Sequence, residues 1–136
     1  SGQSEISPDS KLKQMSMAFV RFCLLNKTMY TIFFITKGTR VDAKHPELAV
    51  NRLRIELFEQ LRLALRQCLR LEPDDDRLLT FSRIYFFMLN GIVSAYSDSE
   101  EPFPDLMDRL SSTFDEAFEA LLSGFRFKLR QGGDFQ

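Results

Sequence analysis

An uncharged run over residues 84–96 constrains the fold of this chain most strongly. Its residues are apolar except for Asn90, Gly91 and Ser94. Apolar side chains fall on every side of a helix drawn through the run, so the pattern predicts a helix that is buried on most of its circumference. Gly91 costs roughly 1 kcal/mol relative to alanine inside a helix, and Asn90 is an amide among large apolar groups. Both residues therefore need an explanation.

The length and composition indicate one folded domain. A chain of 136 residues is large enough to bury roughly two-thirds of the surface that its unfolded form exposes. Hydrophobic residues make up 44% of it, and 14 residues are phenylalanine, which argues against disorder except at the ends. We expect a polar lead-in over 1–9, the domain over 10–130 and a flexible tail over 131–136.

The charges and cysteines indicate which partners and which cellular compartment to expect. Lys plus Arg number 18 and Asp plus Glu number 19, which does not favour direct nucleic-acid contact, since that usually requires a clustered basic face. Cys23 and Cys68 lie in apolar helical patterns and are expected to be buried free thiols of a reducing compartment. No signal peptide is visible, and the uncharged run is too short to span a bilayer. We expect a cytoplasmic protein without membrane contact.

Apolar residues spaced three and four apart predict five helices, and nothing alternates with the period of a strand. Ser7 is the expected N-cap of the first helix, and the acids at 74–76 are expected to cap the fourth. The predicted helices run from Pro8 to Asn26, over 28–36, from Pro46 to about Leu71, from a start at residues 72–76 through the uncharged run, and from Pro104 to a stop at Gln131, Gly132 and Gly133. The fold class is therefore all-α, as a five-helix orthogonal and antiparallel bundle.

The inventory of reactive side chains argues against an enzyme. One histidine and two separated cysteines do not provide a convergent group for acid–base or nucleophilic catalysis. His45 has no Cys or His at zinc-ligand spacing, so we interpret it as an exposed or capping residue. The acids at 74–76 lack the alternating ligands and the glycine of a calcium loop. We expect no catalysis, no metal and no cofactor.

Asn90 is the best indication of a ligand site. Its amide must be hydrogen bonded or stability is lost; a cavity with ligand or water would satisfy it, and so would a neighbouring helix or backbone group. Phe86 and Val93 share its helix face, and ligand chambers are typically apolar with a few polar groups. We expect a small hydrophobic ligand. The predicted lining residues are Phe19, Phe22, Cys23, Tyr30, Phe33, Phe58, Leu61, Phe86, Asn90 and Val93.

The last two helices are expected to form a homodimer interface. Gly91 and Ala95 make a small-residue step that permits close helix packing, and the last helix has a strong apolar stripe. Pairing both helices with their symmetry mates would give an isologous four-helix bundle. A chain of this size can also bury such stripes internally. The predicted interface residues are Met88, Gly91, Ala95, Leu110, Phe114, Phe118, Leu121 and Phe125.

Several segments together resemble the TetR/AcrR family of transcriptional regulators. In that family, an aromatic-rich helix leads through an Asn-Pro step into a short helix that contains Leu-Tyr. Residues 19–26 resemble the first of these helices, and residues 29–34 resemble the second. Residues 86–93, Phe-Phe-Met-Leu-Asn-Gly-Ile-Val, are similar to the family's Trp-x-x-x-His-Gly-aliphatic step, and residues 121–125 to the end of its final helix. The chain departs from the family at Lys27, Phe86 and Asn90, where Pro, Trp and His are usual.

The resemblance implies a C-terminal effector-binding and dimerisation domain. In that class of repressor, a small apolar or aromatic effector controls DNA binding by an N-terminal helix-turn-helix, which would precede Ser1 here. This domain itself would not contact DNA. The competing interpretation is a helical protein–protein interaction module that binds no small ligand and uses its phenylalanine-rich last helix.

Overall fold

A computed structural model describes residues 6–26 and 46–134, and these residues form four α-helices and no strand. The helices are α1 (Pro8–Leu25), α2 (Pro46–Leu69), α3 (Asp76–Tyr96) and α4 (Phe103–Asp134). The predicted all-α class is confirmed for this part of the chain. The helix predicted over 28–36 lies outside the described residues, and so do the predicted ligand residues Tyr30 and Phe33.

Side-chain caps begin α1 and α3. The backbone N–H of Ser10 donates to Ser7 Oγ at 3.1 Å, which satisfies one of the N–H groups that a helix start leaves unpaired. The backbone N–H of Arg77 donates to the Asp75 carboxylate at 2.8 Å, and this carboxylate places negative charge at the positive end of the α3 dipole. Both starts agree with the sequence prediction because caps depend on neighbouring residues.

Two helix ends differ from the positions predicted. Helix α2 ends at Leu69, close to the approximate end predicted at Leu71, because Arg70 adopts a φ of 57°. This left-handed conformation closes many helices, and it lets the Leu71 N–H donate to the Arg66 carbonyl at 3.2 Å. Helix α4 continues to Asp134, past the stop predicted at Gln131 to Gly133, since a helical glycine costs only about 1 kcal/mol relative to alanine.

Aromatic contacts align α3 and α4 as an antiparallel pair. The rings of Phe81 and Phe125 stack with centroids 4.3 Å apart, and Tyr85 packs edge-on against Phe118 at 6.4 Å. Further along α3, the Arg109 guanidinium lies over the Tyr96 ring at 5.4 Å. Residue numbers rise on α3 as they fall on α4, as an antiparallel pairing requires. Helix α1 packs against both of these helices and against α2.

A buried hydrogen-bond chain fixes α1 to α3. The Tyr85 hydroxyl and Ser16 Oγ are 2.5 Å apart, and Ser16 Oγ donates to the Leu12 carbonyl at 2.7 Å, so the tyrosine acts as the donor to the serine. Both residues are almost fully buried. Burial raises the pKa of Tyr85 well above its usual range, and the phenol therefore remains a protonated donor.

An ion pair joins the start of α1 to α4. Arg126 donates to the two Asp9 carboxylate oxygens at 3.0 and 2.8 Å, and its Nη2 also donates to the Cys68 carbonyl at 3.1 Å. The guanidinium of this α4 residue thereby contacts the start of α1 and the end of α2. The hydrogen bond from Arg126 lowers the pKa of Asp9.

Replacement of Asp9 by asparagine is expected to make stability less dependent on pH. Since Asp9 has a lowered pKa in the folded state, the pair stabilises the fold above the ordinary value of 3.8 and loses this effect as pH falls through the folded-state pKa. The Asp9 and Arg126 side chains are 41% and 37% exposed, so we expect about 1 kcal/mol or less at neutral pH. Urea unfolding near neutral pH and in acid measures the difference.

The exposed α4 variant Glu119→Gln serves as the control for the same charge change. We expect the unmodified protein and Asp9→Asn to differ in free energy of unfolding near neutral pH, and this difference should disappear in acid. If the difference in free energy of unfolding stayed constant across the pH range, the result would contradict stabilisation by this ion pair.

Among the described residues, α3 alone is long and apolar enough to cross a membrane by length and composition. In this fold, 39% of its most apolar 18-residue window is buried inside the protein. Core helices of soluble proteins pass the same test, so the expected absence of membrane contact stays a prediction.

Candidate functional site

Three phenylalanines from three helices form what we call the phenylalanine cluster: Phe19 of α1, Phe58 of α2 and Phe86 of α3. The centroids of Phe19 and Phe86 are 6.5 Å apart, and Phe58 meets Phe86 edge-on at 6.0 Å with an interplanar angle of 84°. All three side chains are half-buried. The structure thus brings together three of the residues predicted to line a ligand chamber.

Asn90 lies one turn after Phe86, on the same side of α3. Its Oδ1 atom is buried and has no hydrogen-bond partner among the described residues. An unsatisfied buried acceptor costs about 1–3 kcal/mol. A hydrogen bond to a neighbouring helix would have explained Asn90 without a ligand, but the described helices offer Oδ1 no such donor.

The other predicted ligand residues divide into buried and exposed positions. Cys23, Leu61 and Val93 belong to the hydrophobic core. Phe22 is 47% exposed and lies outside the core, and its assignment to the ligand chamber stays a prediction. It lies two residues after the fully buried Val20, which turns it roughly 200° around the helix and away from the core.

The described residues of the predicted site carry no ionised side chain. Apart from Cys23, they are phenylalanine, leucine, valine and asparagine. Burial raises the pKa of the Cys23 thiol to about 12, so this group is neutral at physiological pH. Cys23 and Cys68 are both free and buried, as predicted.

Helix α3 also has an uncharged exposed side, which we call the outer strip: Ile84, Phe87, Gly91 and Ala95. Spacings of three and four residues place them along one side of the helix. Phe87 is 65% exposed and Ile84 38% exposed, and both small residues are exposed as well. A Cβ added at Gly91 would meet no atom within 4 Å. Packing among the described residues therefore does not explain the glycine.

Four residues predicted for a dimer interface are instead part of the core of a single chain. Leu110 and Phe114 are 0% exposed, and Phe118 and Phe125 are 6% and 3% exposed. Buried side chains of this kind have almost no surface left for a second chain, so their assignment to an interface is wrong. The apolar stripe of α4 packs against other helices of the same chain.

The remaining interface residues keep accessible surface. Met88 and Leu121 are half-buried, while Gly91 and Ala95 are exposed. Gly124 lies one turn from Leu121 on α4 and, like Gly91, has open space where a Cβ would be. Ile84 and Phe87 are not among the residues predicted for the interface, although their spacing to Gly91 could have identified them.

Two surface depressions lie away from this site. One of 260 Å³ is formed by α1 and α4 around Lys13, Met17 and Asp115. The other, of 450 Å³, adjoins the acids at 74–76 and Arg62. Lys13 pairs with Asp115 at 3.1 Å, and Arg62 pairs with Glu59 at 3.0 Å, so the named cation at each rim already has an acidic partner in the chain.

The geometry defines a helical domain with a neutral aromatic cluster beside an unsatisfied amide. Comparisons of the chain with protein-family models, with curated proteins and with solved structures found no match. The resemblance to the TetR/AcrR family therefore remains a prediction from the sequence.

Proposed function

We propose that this chain is the effector-sensing and dimerisation domain of a cytoplasmic transcriptional repressor similar to the TetR/AcrR family. A small apolar or aromatic ligand binds at the phenylalanine cluster and controls DNA binding by an N-terminal helix-turn-helix. The observation that carries the proposal is the position of α3. This helix contributes Phe86 and Asn90 to the candidate site, and its outer strip faces away from the chain.

Because α3 carries both the candidate ligand site and the outer strip, it can couple ligand binding to the binding of a second chain. A ligand that contacts Phe86 unequally in two positions of α3 shifts the population of those positions. The outer strip moves with the same helix, so a second chain bound there experiences the change. Coupling of this kind is an allosteric free energy shared between two sites.

The outer strip suits a second copy of the chain. It is uncharged, it lies on an antiparallel pair of helices, and Gly91 and Gly124 leave room for close approach. Two such pairs facing each other form a four-helix bundle, and a two-fold axis makes each strip contact the equivalent surface of the other chain. Burial of apolar surface at about 25 cal/mol per Å² then stabilises the dimer.

Phe87 also supports the second candidate, a helical interaction module without a small ligand. A phenylalanine that is 65% exposed provides the type of aromatic anchor that protein interfaces use. The two candidates differ in one property, which is the response of the chain to small apolar compounds.

Replacement of Phe86 by alanine is expected to weaken ligand binding about tenfold or more, because the aromatic contacts contribute about 0.5–1.5 kcal/mol beyond the area that they bury. Thermal-shift screening with neutral aromatic and acyl compounds should raise the Tm of the unmodified protein. Each variant is compared with its own ligand-free Tm, which separates binding from any loss of stability.

The matched control is Phe127→Ala, at a position on α4 that is 53% exposed. It should keep the ligand response of the unmodified protein. A set of compounds that stabilises the Phe86→Ala variant as strongly as the unmodified chain would contradict the site, and a chain that responds to none of them would favour the interaction module.

A further inference from the structure

We infer that the ligand is an uncharged aromatic molecule with a hydrogen-bond donor, such as a phenolic hydroxyl or an anilide N–H, and that this donor binds Oδ1 of Asn90. The inference rests on the proposed function, since it assumes that the phenylalanine cluster accepts a ligand. Three properties of the site lead to it: the shape of its aromatic groups, its lack of charge, and its unsatisfied acceptor.

The cluster favours an aromatic ring. Phe86 already contacts Phe19 at 6.5 Å and Phe58 at 6.0 Å between centroids, within the separation of about 4.5–7 Å at which aromatic pairs are favourable. Its near-perpendicular contact with Phe58 is one of the arrangements that aromatic pairs prefer. The three rings come from different helices and are half-buried, so a ligand ring bound beside them would extend an existing aromatic cluster.

The charge of the site favours a neutral ligand. No residue of the cluster is ionisable, Asn90 is neutral, and the buried Cys23 thiol remains protonated. A carboxylate or ammonium ligand would lose its hydration here without gaining a counter-charge from these groups, which is strongly unfavourable. A neutral molecule avoids that loss.

The unsatisfied acceptor requires a hydrogen-bond donor on the ligand. A side-chain amide oxygen accepts hydrogen bonds and cannot donate them, and Oδ1 of Asn90 is buried without a partner. A ligand hydroxyl or N–H satisfies this atom, whereas an ether oxygen at the same place would face it as a second acceptor. Sites that hydrogen bond a ligand group discriminate strongly against analogues that lack it.

A naphthol and its methyl ether test the inference, because both are neutral aromatic compounds and only the naphthol has a donor. Calorimetric titration of the full chain is expected to show about tenfold tighter binding of the naphthol, the effect of one hydrogen bond to a buried acceptor. In the Asn90→Leu variant, which has similar volume and no acceptor, the two compounds should bind with equal affinity.

The outcomes separate the inference from the proposed function. Equal binding of the two compounds to the unmodified protein, tighter binding of the ether, or a preference for naphthol that persists in Asn90→Leu would overturn the inference and leave the ligand site in place. Failure of both compounds to bind, with stabilisation by other apolar compounds, would also overturn the inference alone. A chain that binds no apolar compound of any kind would overturn both.

Discussion

Replacement of Phe114 by alanine is expected to lower the free energy of unfolding by about 3–5 kcal/mol. Phe114 is 0% exposed, and its ring lies 6.1 Å from that of Phe118 on the next turn of α4. The substitution removes apolar contacts and leaves a cavity that helices packed on several sides close only partly. Urea unfolding followed by circular dichroism measures the loss.

Phe127→Ala makes the same chemical change on the same helix and is the control. Phe127 is 53% exposed, so we expect its free energy of unfolding to change by about 0.5 kcal/mol or less. All samples need the same protein concentration, because the stability of a dimer depends on it. Equal losses at both positions would contradict the placement of the α4 stripe in the core of one chain.

Replacement of Ala95 by arginine is expected to convert the dimer to monomers without unfolding the chain. Ala95 is exposed in a single chain, so the arginine has room in the monomer. In the dimer, its charge would be buried at the outer strip without a partner, which costs about 3–5 kcal/mol and corresponds to a dissociation constant raised at least a hundredfold. Sedimentation velocity measures the change in mass.

Ala18→Arg provides the matched control, because Ala18 is also exposed but lies on α1. This variant should keep the mass of the unmodified protein, and circular dichroism should show unchanged helix content in both variants. A dimer that survives Ala95→Arg, or one that Ala18→Arg disrupts equally, would place the interface elsewhere.

Local chemistry made much of the helical architecture predictable. Ser7 and Asp75 cap the helices that follow them, because a cap involves residues only two or three positions apart. The end of α2 depends on a left-handed Arg70, which composition does not reveal since glycine is the usual residue there. The two glycines at 132 and 133 do not end α4, because glycine is only a modest obstacle to a helix.

Periodicity predicts that a face is buried but not what covers it. The sequence predicts a surface for a second chain at the stripe of α4, yet Phe118 and Phe125 pack on Tyr85 and Phe81 of the same chain. Phe22 shows the converse: it lies beside the buried stripe of α1, yet its side chain is 47% exposed. Both distinctions require tertiary structure.

The candidate site was predictable where one residue contrasts with its neighbours. Asn90 stands out as an amide in an apolar helix, and Phe86 follows from it because it lies one turn away. Contacts between distant residues had no such signal. The pair Ser16 and Tyr85 is 69 positions apart, and Asp9 is 117 positions from Arg126, so only the folded chain reveals these bonds.

The proposed coupling requires that a second copy of the chain binds the outer strip of α3. Light scattering of the unmodified protein at micromolar concentration measures this most directly. We predict a mass of twice the 15.8 kDa of one chain. A mass of 15.8 kDa throughout the micromolar range would show that the chain is a monomer and would contradict the proposed dimerisation domain.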